Sequence, residues 1–418
     1  MEILSEIFEL ACLPEDGVFH SSLTMVFYTH SLSSVCAAWR KVALATPQLW
    51  SKLCINDGIK VLADVEWVKK WANRSRSLPL DVYVSLCRDA SLQLLEQILE
   101  CRHRIRTLDV AGDPRPYTAL FNLPRSSFSQ LEQVTLSFRH LDGFLFPSQI
   151  EAFLDAPNLY HVQIKGPACS SAFLKALVFP VEQLTTLSFD SRSVISDTAG
   201  AVCMDNIHAC INLVNLEIAL PLRRGLTSNM YIFLPLLKSL KIVCHDLYDF
   251  LCCLTLPLLE HLTLCGYCGD IGHALTTLAD FQRRSAISLS SLTLEDFYGN
   301  DVGTWMKNLT VTMGMLPEVQ SLHLHRMRFD INLLLRALTC SEGSQVLLPK
   351  LTHLGLQPYR PPVAYPSELT SMVLSRWWPY DSETTASPGL IRLQKVTLRG
   401  FHYDEQISGL SGLEINNM

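Results

Sequence analysis

The sequence predicts an α/β solenoid: short parallel strands, one per repeat, with helices on the convex side, behind a small three-helix module. Three observations predict it. A spaced triplet of aliphatic residues recurs along most of the chain, apolar stretches of helical period lie between recurrences, and the first 50 residues follow a different, purely helical pattern. The expected division is therefore a helical module over 1–50 and a repeat region over 51–418.

The triplet consists of an aliphatic residue, a second three positions on and a third two further on. It appears at Ile105/Leu108/Val110, Leu131/Val134/Leu136, Leu159/Val162/Ile164, Leu184/Leu187/Phe189, Leu213/Leu216/Ile218 and Leu237/Leu240/Ile242. It continues at Leu259/Leu262/Leu264, Leu289/Leu292/Leu294, Val319/Leu322/Leu324, Leu351/Leu354/Leu356, Leu393/Val396/Leu398 and Leu410/Leu413/Ile415. Successive starts are mostly 22 to 32 residues apart, stretched to 42 before Leu393 and shortened to 17 at the end. That spacing is the range of leucine-rich repeats. The last two members stand at i and i+2, so both point to one face of a short strand. A lone strand of this size buries too little to persist, and it must stack on the next rung. Leu80–Val84 and Leu53–Ile55 read as earlier strands, while 92–99 and 331–338 read as connecting helices. The Asn or Cys that commonly follows the last leucine is missing from most rungs, which predicts an irregular solenoid of variable curvature.

At the N-terminus, Ile3, Leu4, Ile7, Phe8 and Ala11 form one apolar stripe, with Glu2, Ser5, Glu6 and Glu9 opposite. A second helix is expected from Ser31, acting as N-cap, with Leu32, Val35, Cys36 and Trp39 on one face. A segment from Arg40 to Pro47 follows, and Trp50, beside the first strand, is expected in the core. So few residues enclose little core, and their apolar stripes must meet the repeats or another protein.

Glu2–Phe8, Leu32–Arg40 and Ala43–Trp50 together resemble the F-box-like motif of large fungal F-box protein families, and Ser375–Pro379 and Leu393–Arg399 resemble the tails of the same proteins. The likeness spans nearly the whole chain, but only its first 50 residues carry motif-level specificity. It implies three helices that dock a Skp-type adaptor of a cullin–RING ubiquitin ligase, and repeats that hold a protein substrate. Carried over by position, Ile3, Leu4, Ile7, Leu32, Val35, Cys36 and Trp39 are the adaptor-binding residues. The Leu-Pro pair that leads into the first helix in that family is absent ahead of Glu2, so the module is expected to be N-terminally incomplete or degenerate. The alternative is a repeat scaffold outside any ligase, with the helices as a structural cap.

Composition narrows the remaining classes. Hydrophobic residues make up 48% and charged residues 18%, and the net charge is −6. This balance argues against general nucleic-acid or anionic-membrane binding, both of which need excess Lys and Arg. The first ten residues hold three glutamates and no basic residue, which predicts no secretory leader. The fourteen cysteines are scattered, as reduced core thiols of a cytoplasmic or nuclear protein would be. No phosphate loop, nucleophile elbow or zinc-protease motif occurs, so neither an enzyme nor a cofactor is expected. The densest set of metal-ligand types, Cys244, His245, Cys252, Cys253, His261, Cys265, Cys268 and His273, lies on and around a repeat strand and is read as core and loop residues.

Residues alternating with the core leucines should face the groove. Hydroxyls and amides dominate there, and histidine recurs at His161, His261, His323 and His353. The later histidines are expected to share one polar patch, with a role in substrate recognition and a pH dependence.

Overall fold

The computed structural model describes residues 2–12, 24–56, 65–87, 92–139, 144–166, 171–191, 197–220, 231–244, 247–299, 302–341, 345–359, 366–377, 389–401 and 414–417. They gather into two compact units, Met1–Cys210 and Ile211–Met418, so the sequence boundary at residue 50 falls inside the first.

The first unit opens with three helices, α1 (Glu2–Ala11), α2 (Thr24–Val35) and α3 (Ala37–Ala45). Six strands follow: β1 (Lys52–Asn56), β2 (Leu80–Leu86), β3 (Ile105–Gly112), β4 (Gln133–Phe138), β5 (His161–Lys165) and β6 (Thr186–Asp190). Each is parallel to the next in chain order. Between them run α4 (Val65–Arg74), α5 (Leu92–Leu99), α6 (Thr118–Phe121) and α7 (Ser171–Ala176), and α8 (Asp197–Ala209) closes the unit.

In the second unit the parallel order is β7 (Asn215–Ala219), β9 (Ser239–Val243), β11 (His261–Asp270), β12 (Ser291–Tyr298), β13 (Ser321–Met327), β14 (His353–Pro358), β15 (Lys395–Leu398) and β16 (Glu414–Asn417). Its helices are α9 (Leu247–Leu251), α10 (Ile271–Ser285), α11 (Val302–Gly314), α12 (Ile331–Leu338) and α13 (Leu369–Arg376). Two further strands, β8 (Ile232–Phe233) and β10 (Leu254–Thr255), pair in parallel as a separate two-stranded sheet, which the leucine spacing gives no sign of. Mixed α/β units with long parallel sheets are what a solenoid-like fold requires.

Register follows the triplets. Leu108, Val134, Val162 and Leu187 lie opposite one another along the first unit. Leu216, Leu240, Leu262, Leu292, Leu322, Leu354, Val396 and Ile415 do so along the second. These leucines and valines are buried, and each contributes roughly 1.5–3 kcal/mol on leaving water. A one-residue slip would turn a whole row outward, so the apolar row itself fixes the pairing. Leu410 and Leu413 of the last triplet lie outside the described residues, as does Pro379 of the tail motif.

Polar backbone at the helix ends is satisfied in a way the leucine pattern does not reveal. Arg376, fully buried at the end of α13, donates to the carbonyls of Leu338 (2.7 Å), Leu347 (2.5 Å) and Leu348 (2.9 Å), the first of them the last residue of α12. Arg104 likewise donates to the carbonyls of Leu78 (2.8 Å) and Ala72 (3.4 Å) and to Ser75 Oγ (2.7 Å), behind α4. Arg284 does the same for Leu251 and Leu254. A helix end leaves carbonyls without partners inside the helix, and a planar guanidinium with five donors can serve several at once.

Candidate functional site

Two surfaces bear on function, one in each unit. The first is the outer face of α1–α3. Phe8 is buried and packs, tilted by 55°, against Trp39 with ring centroids 5.0 Å apart. Thr46 Oγ1 donates to Ser5 Oγ at 3.0 Å, joining the end of α3 to α1. Trp50 is buried, donates from Nε1 to the Ala43 carbonyl at 2.8 Å and meets Trp71 of α4 edge-on at 4.7 Å. The module is thus seated on the first rungs through Trp50, the expected core residue.

Several apolar side chains of the three helices are exposed. Ile3 is 74% exposed, Ile7 52% and Val35 61%, whereas Leu4, Leu32 and Trp39 are half-buried. The expected stripes therefore divide: part of each closes the small core, and part faces outward. Leu10, 68% exposed, extends the outward row of α1, and Phe27, Tyr28 and Leu44 are also exposed. Leu10 was findable, since it lies three positions beyond Ile7 and seven beyond Ile3.

The second helix corrects the sequence reading. It begins by Thr24 rather than at Ser31, and the chain breaks at Cys36, whose extended backbone (φ −156°, ψ 172°) starts α3. Ser33 and Ser34 turn their hydroxyls back onto the His30 carbonyl at 2.8 and 2.7 Å, as mid-helix serines do. Cys36 is the N-cap instead, accepting from the Trp39 N–H at 3.4 Å. Cysteine is not among the usual capping residues, so spacing alone pointed to the serine.

The second surface is the outward strand face of β12–β15. Here His323, His325, Thr293, Lys395, Thr397 and Arg399 line a cavity of about 260 Å³. The parallel register places them: Thr293, His323, Gly355 and Thr397 form one row across four strands. Gly355 makes room for the His323 ring, because a Cβ there would sit 2.1 Å from Nδ1. His323 Nε2 lies 2.9 Å from Ser321 Oγ, and the His325 ring stands 5.8 Å away. Burial pushes the His323 pKa down, with His325, His353 and Arg399 adding to the effect. Burial likewise lowers that of His325, against the opposing pull of Glu295. Glu295 is itself paired with Arg326 at 2.6 Å.

Compared with known proteins, the chain matches no family model and no curated sequence.

Of the later histidines singled out in the sequence, His323 and His353 are brought together and His261 stands apart. His161 belongs to the first unit, on β5, where burial and Lys165 lower its pKa. His261 aligns with Ser291, Ser321 and His353 in turn, so three strand spacings of ~4.8 Å part it from His353. His323 and His353 do lie on neighbouring strands, and Thr352 Oγ1 is 2.8 Å from His353 Nδ1. His325 and Arg399, each two residues beyond an expected face position, complete the group. Extending the alternation by one further step, along β13 and just past the end of β15, would have found both.

Of the suspected metal-ligand types, Cys265 is buried with Sγ 3.9 Å from Asp296 Oδ2. The Cys268 side chain and His245 lie outside the described residues. Among the described residues, no cluster of His, Cys, Asp and Glu is arranged to hold a metal, and no helix is long and apolar enough to cross a membrane.

Proposed function

We propose that this protein is the substrate-recruiting subunit of a Skp/cullin/F-box-type ubiquitin ligase, with α1–α3 as an F-box-like module and the strands behind them as an irregular leucine-rich-repeat solenoid. The observation that carries this reading is the exposed row Ile3, Ile7 and Leu10 on α1, with Val35 exposed on α2, on a module already seated on its own chain by Trp50. Residues of that kind cost free energy in water and repay it against a foreign apolar groove. The ligase chemistry would lie elsewhere in the complex, so the chain needs no catalytic residue or cofactor, and its place is the cytoplasm or nucleus.

The test uses the outward residues, since Trp39→Ala would also strip Phe8 of its neighbour. Full-length protein carrying Ile3→Asp, Ile7→Asp and Val35→Asp should fold as the wild type does by circular dichroism. It should also lose capture of a purified Skp-type adaptor. Equal capture by both proteins, or none by the wild type, would overturn the proposal. The Trp50–Trp71 contact favours a second reading, a repeat scaffold capped by its own helices. Absence of adaptor binding together with a lowered melting temperature after removal of residues 1–50 would support that one.

A further inference from the structure

We propose that the cavity between β12 and β15 is a binding site for a phosphate-like oxyanion, held by Lys395 and Arg399 with His323, His325, Thr293 and Thr397 around it. The inference does not depend on what α1–α3 dock.

The first argument is the donor set. Lys395 and Arg399 carry permanent positive charge, the two threonines offer hydroxyls, and the two imidazoles supply ring nitrogens, all lining one cavity of about 260 Å³. A carboxylate presents two oxygens, whereas a phosphate monoester presents three and can engage donors arriving from several strands. The donors come from β12 and β13 and from β15 with the residue that follows it, so they converge on one cavity from either side of β14. The cavity, about 260 Å³, is far too small for a large apolar ligand, and six of its eight lining residues carry polar or charged side chains, Gly355 and Leu356 being the others.

The second argument is that the walls are preset. Gly355 has no side chain, and His323 occupies the space that any other residue would take. Ser321 Oγ, 2.9 Å from His323 Nε2, steadies the ring. Glu295, on β12 beside the site, is paired with Arg326, which also contacts Asp296 at 2.6 Å, and the strand register sets Glu414 of β16 opposite Lys395. Facing the two histidines are therefore Arg399, Lys395 and His353 on one side, and Glu295 with its partner Arg326 on the other. Without a ligand, burial and the neighbouring cations keep both imidazoles neutral near pH 7. An arriving oxyanion reverses that field, and protonation of either ring then strengthens binding. Affinity for the oxyanion, corrected for the ligand's own protonation, should rise as pH falls toward 6, with proton uptake beyond that of the ligand itself.

The experiment is isothermal titration of the full-length protein with inorganic phosphate, with acetate and with N-acetyl-O-phosphoserine methylamide, at about pH 6 and pH 8. Saturable phosphate binding is expected, tighter at the lower pH once so corrected, with heats that depend on the buffer's ionisation enthalpy. Lys395→Gln and Arg399→Gln should each weaken it about tenfold or more, with the melting temperature of each variant showing that the fold is kept; Arg399 is exposed and Lys395 half-buried. The exposed Arg125→Gln, in the other unit, should change nothing. Tighter binding of the capped phosphoserine would point to a phosphorylated protein as the source, and tighter binding of free phosphate to a small metabolite; either supports the site. No saturable heat with either phosphate probe up to about 10 mM, acetate binding as well as phosphate, or unchanged binding in both cavity variants would overturn it.

Discussion

Asp109, on β3, shows how a single carboxyl can oppose the fold that holds it. Burial pushes its pKa up to about 6 despite the nearby Lys165. The folded state thus holds a proton that the unfolded chain gives up near pH 4. The contribution from this group is present at acid pH and is lost as pH rises through about 6. Asp109→Asn should therefore be more stable than the wild type at about pH 8, on the order of 2 kcal/mol, with the gap closing by about pH 4. Urea melts at the two pH values measure it, and an Asn variant equally weakened at both would refute the account. Gly355 offers a second case. Gly355→Ala drives a methyl into His323 and should cost about 1–3 kcal/mol, and adding His323→Ala should restore most of it. Site residues at this scale were only partly legible. Lys395, Thr293 and His323 follow from strand alternation, but which histidines are neighbours depends on strand register. That is a relation between distant segments, and it left His261 apart from His353.

The elements were more legible, because their cause is local. The connecting helices α5 and α12 occupy the spans that apolar spacing gives, Leu92–Leu99 and Ile331–Leu338. Each triplet from Ile105 to Leu398 ends in a parallel strand. Helix α2 was not legible at its start, since Thr24, Thr29 and His30 carry no strong helical signal, and its break rests on a cysteine cap. Nor were the helix-end arginines, whose acceptors are backbone carbonyls of the preceding repeat and leave no mark in residue type. Arg376→Met removes donors from three buried carbonyls and is expected to cost about 3 kcal/mol or more in equilibrium unfolding. Arg376→Lys should recover only part, since an ammonium cannot span the same three acceptors in one plane. Full recovery by Lys would show that charge alone, not the fork, is what matters.

Across the molecule, contacts run chiefly from each rung to its neighbours, so stability is a sum of local interfaces rather than one indivisible core. Denaturant unfolding followed by far-UV dichroism and by tryptophan fluorescence is expected to give non-coincident transitions, the Trp50–Trp71 region reporting separately from Trp305. Three histidines pull the other way from Asp109 on acidification. His161, His323 and His325 have pKa values below their ordinary 6.5, so the unfolded chain takes up protons first as pH drops past that value. Their contribution is complete above about 6.5 and drains away as pH falls toward the lower folded values; in an Asp109→Asn background, which removes the opposing carboxyl, a melting temperature that holds steady from pH 7 to pH 5 would contradict this. The buried arginine also bears on how such a chain is inherited. Arg376 reaches back 38 residues to Leu338 and 28 to Leu348, so donor and acceptors belong to different repeats. Duplicating or deleting one repeat during descent would separate the guanidinium from the backbone it serves. Insertions and losses should accumulate at other seams, and this pair of repeats should travel through a lineage together.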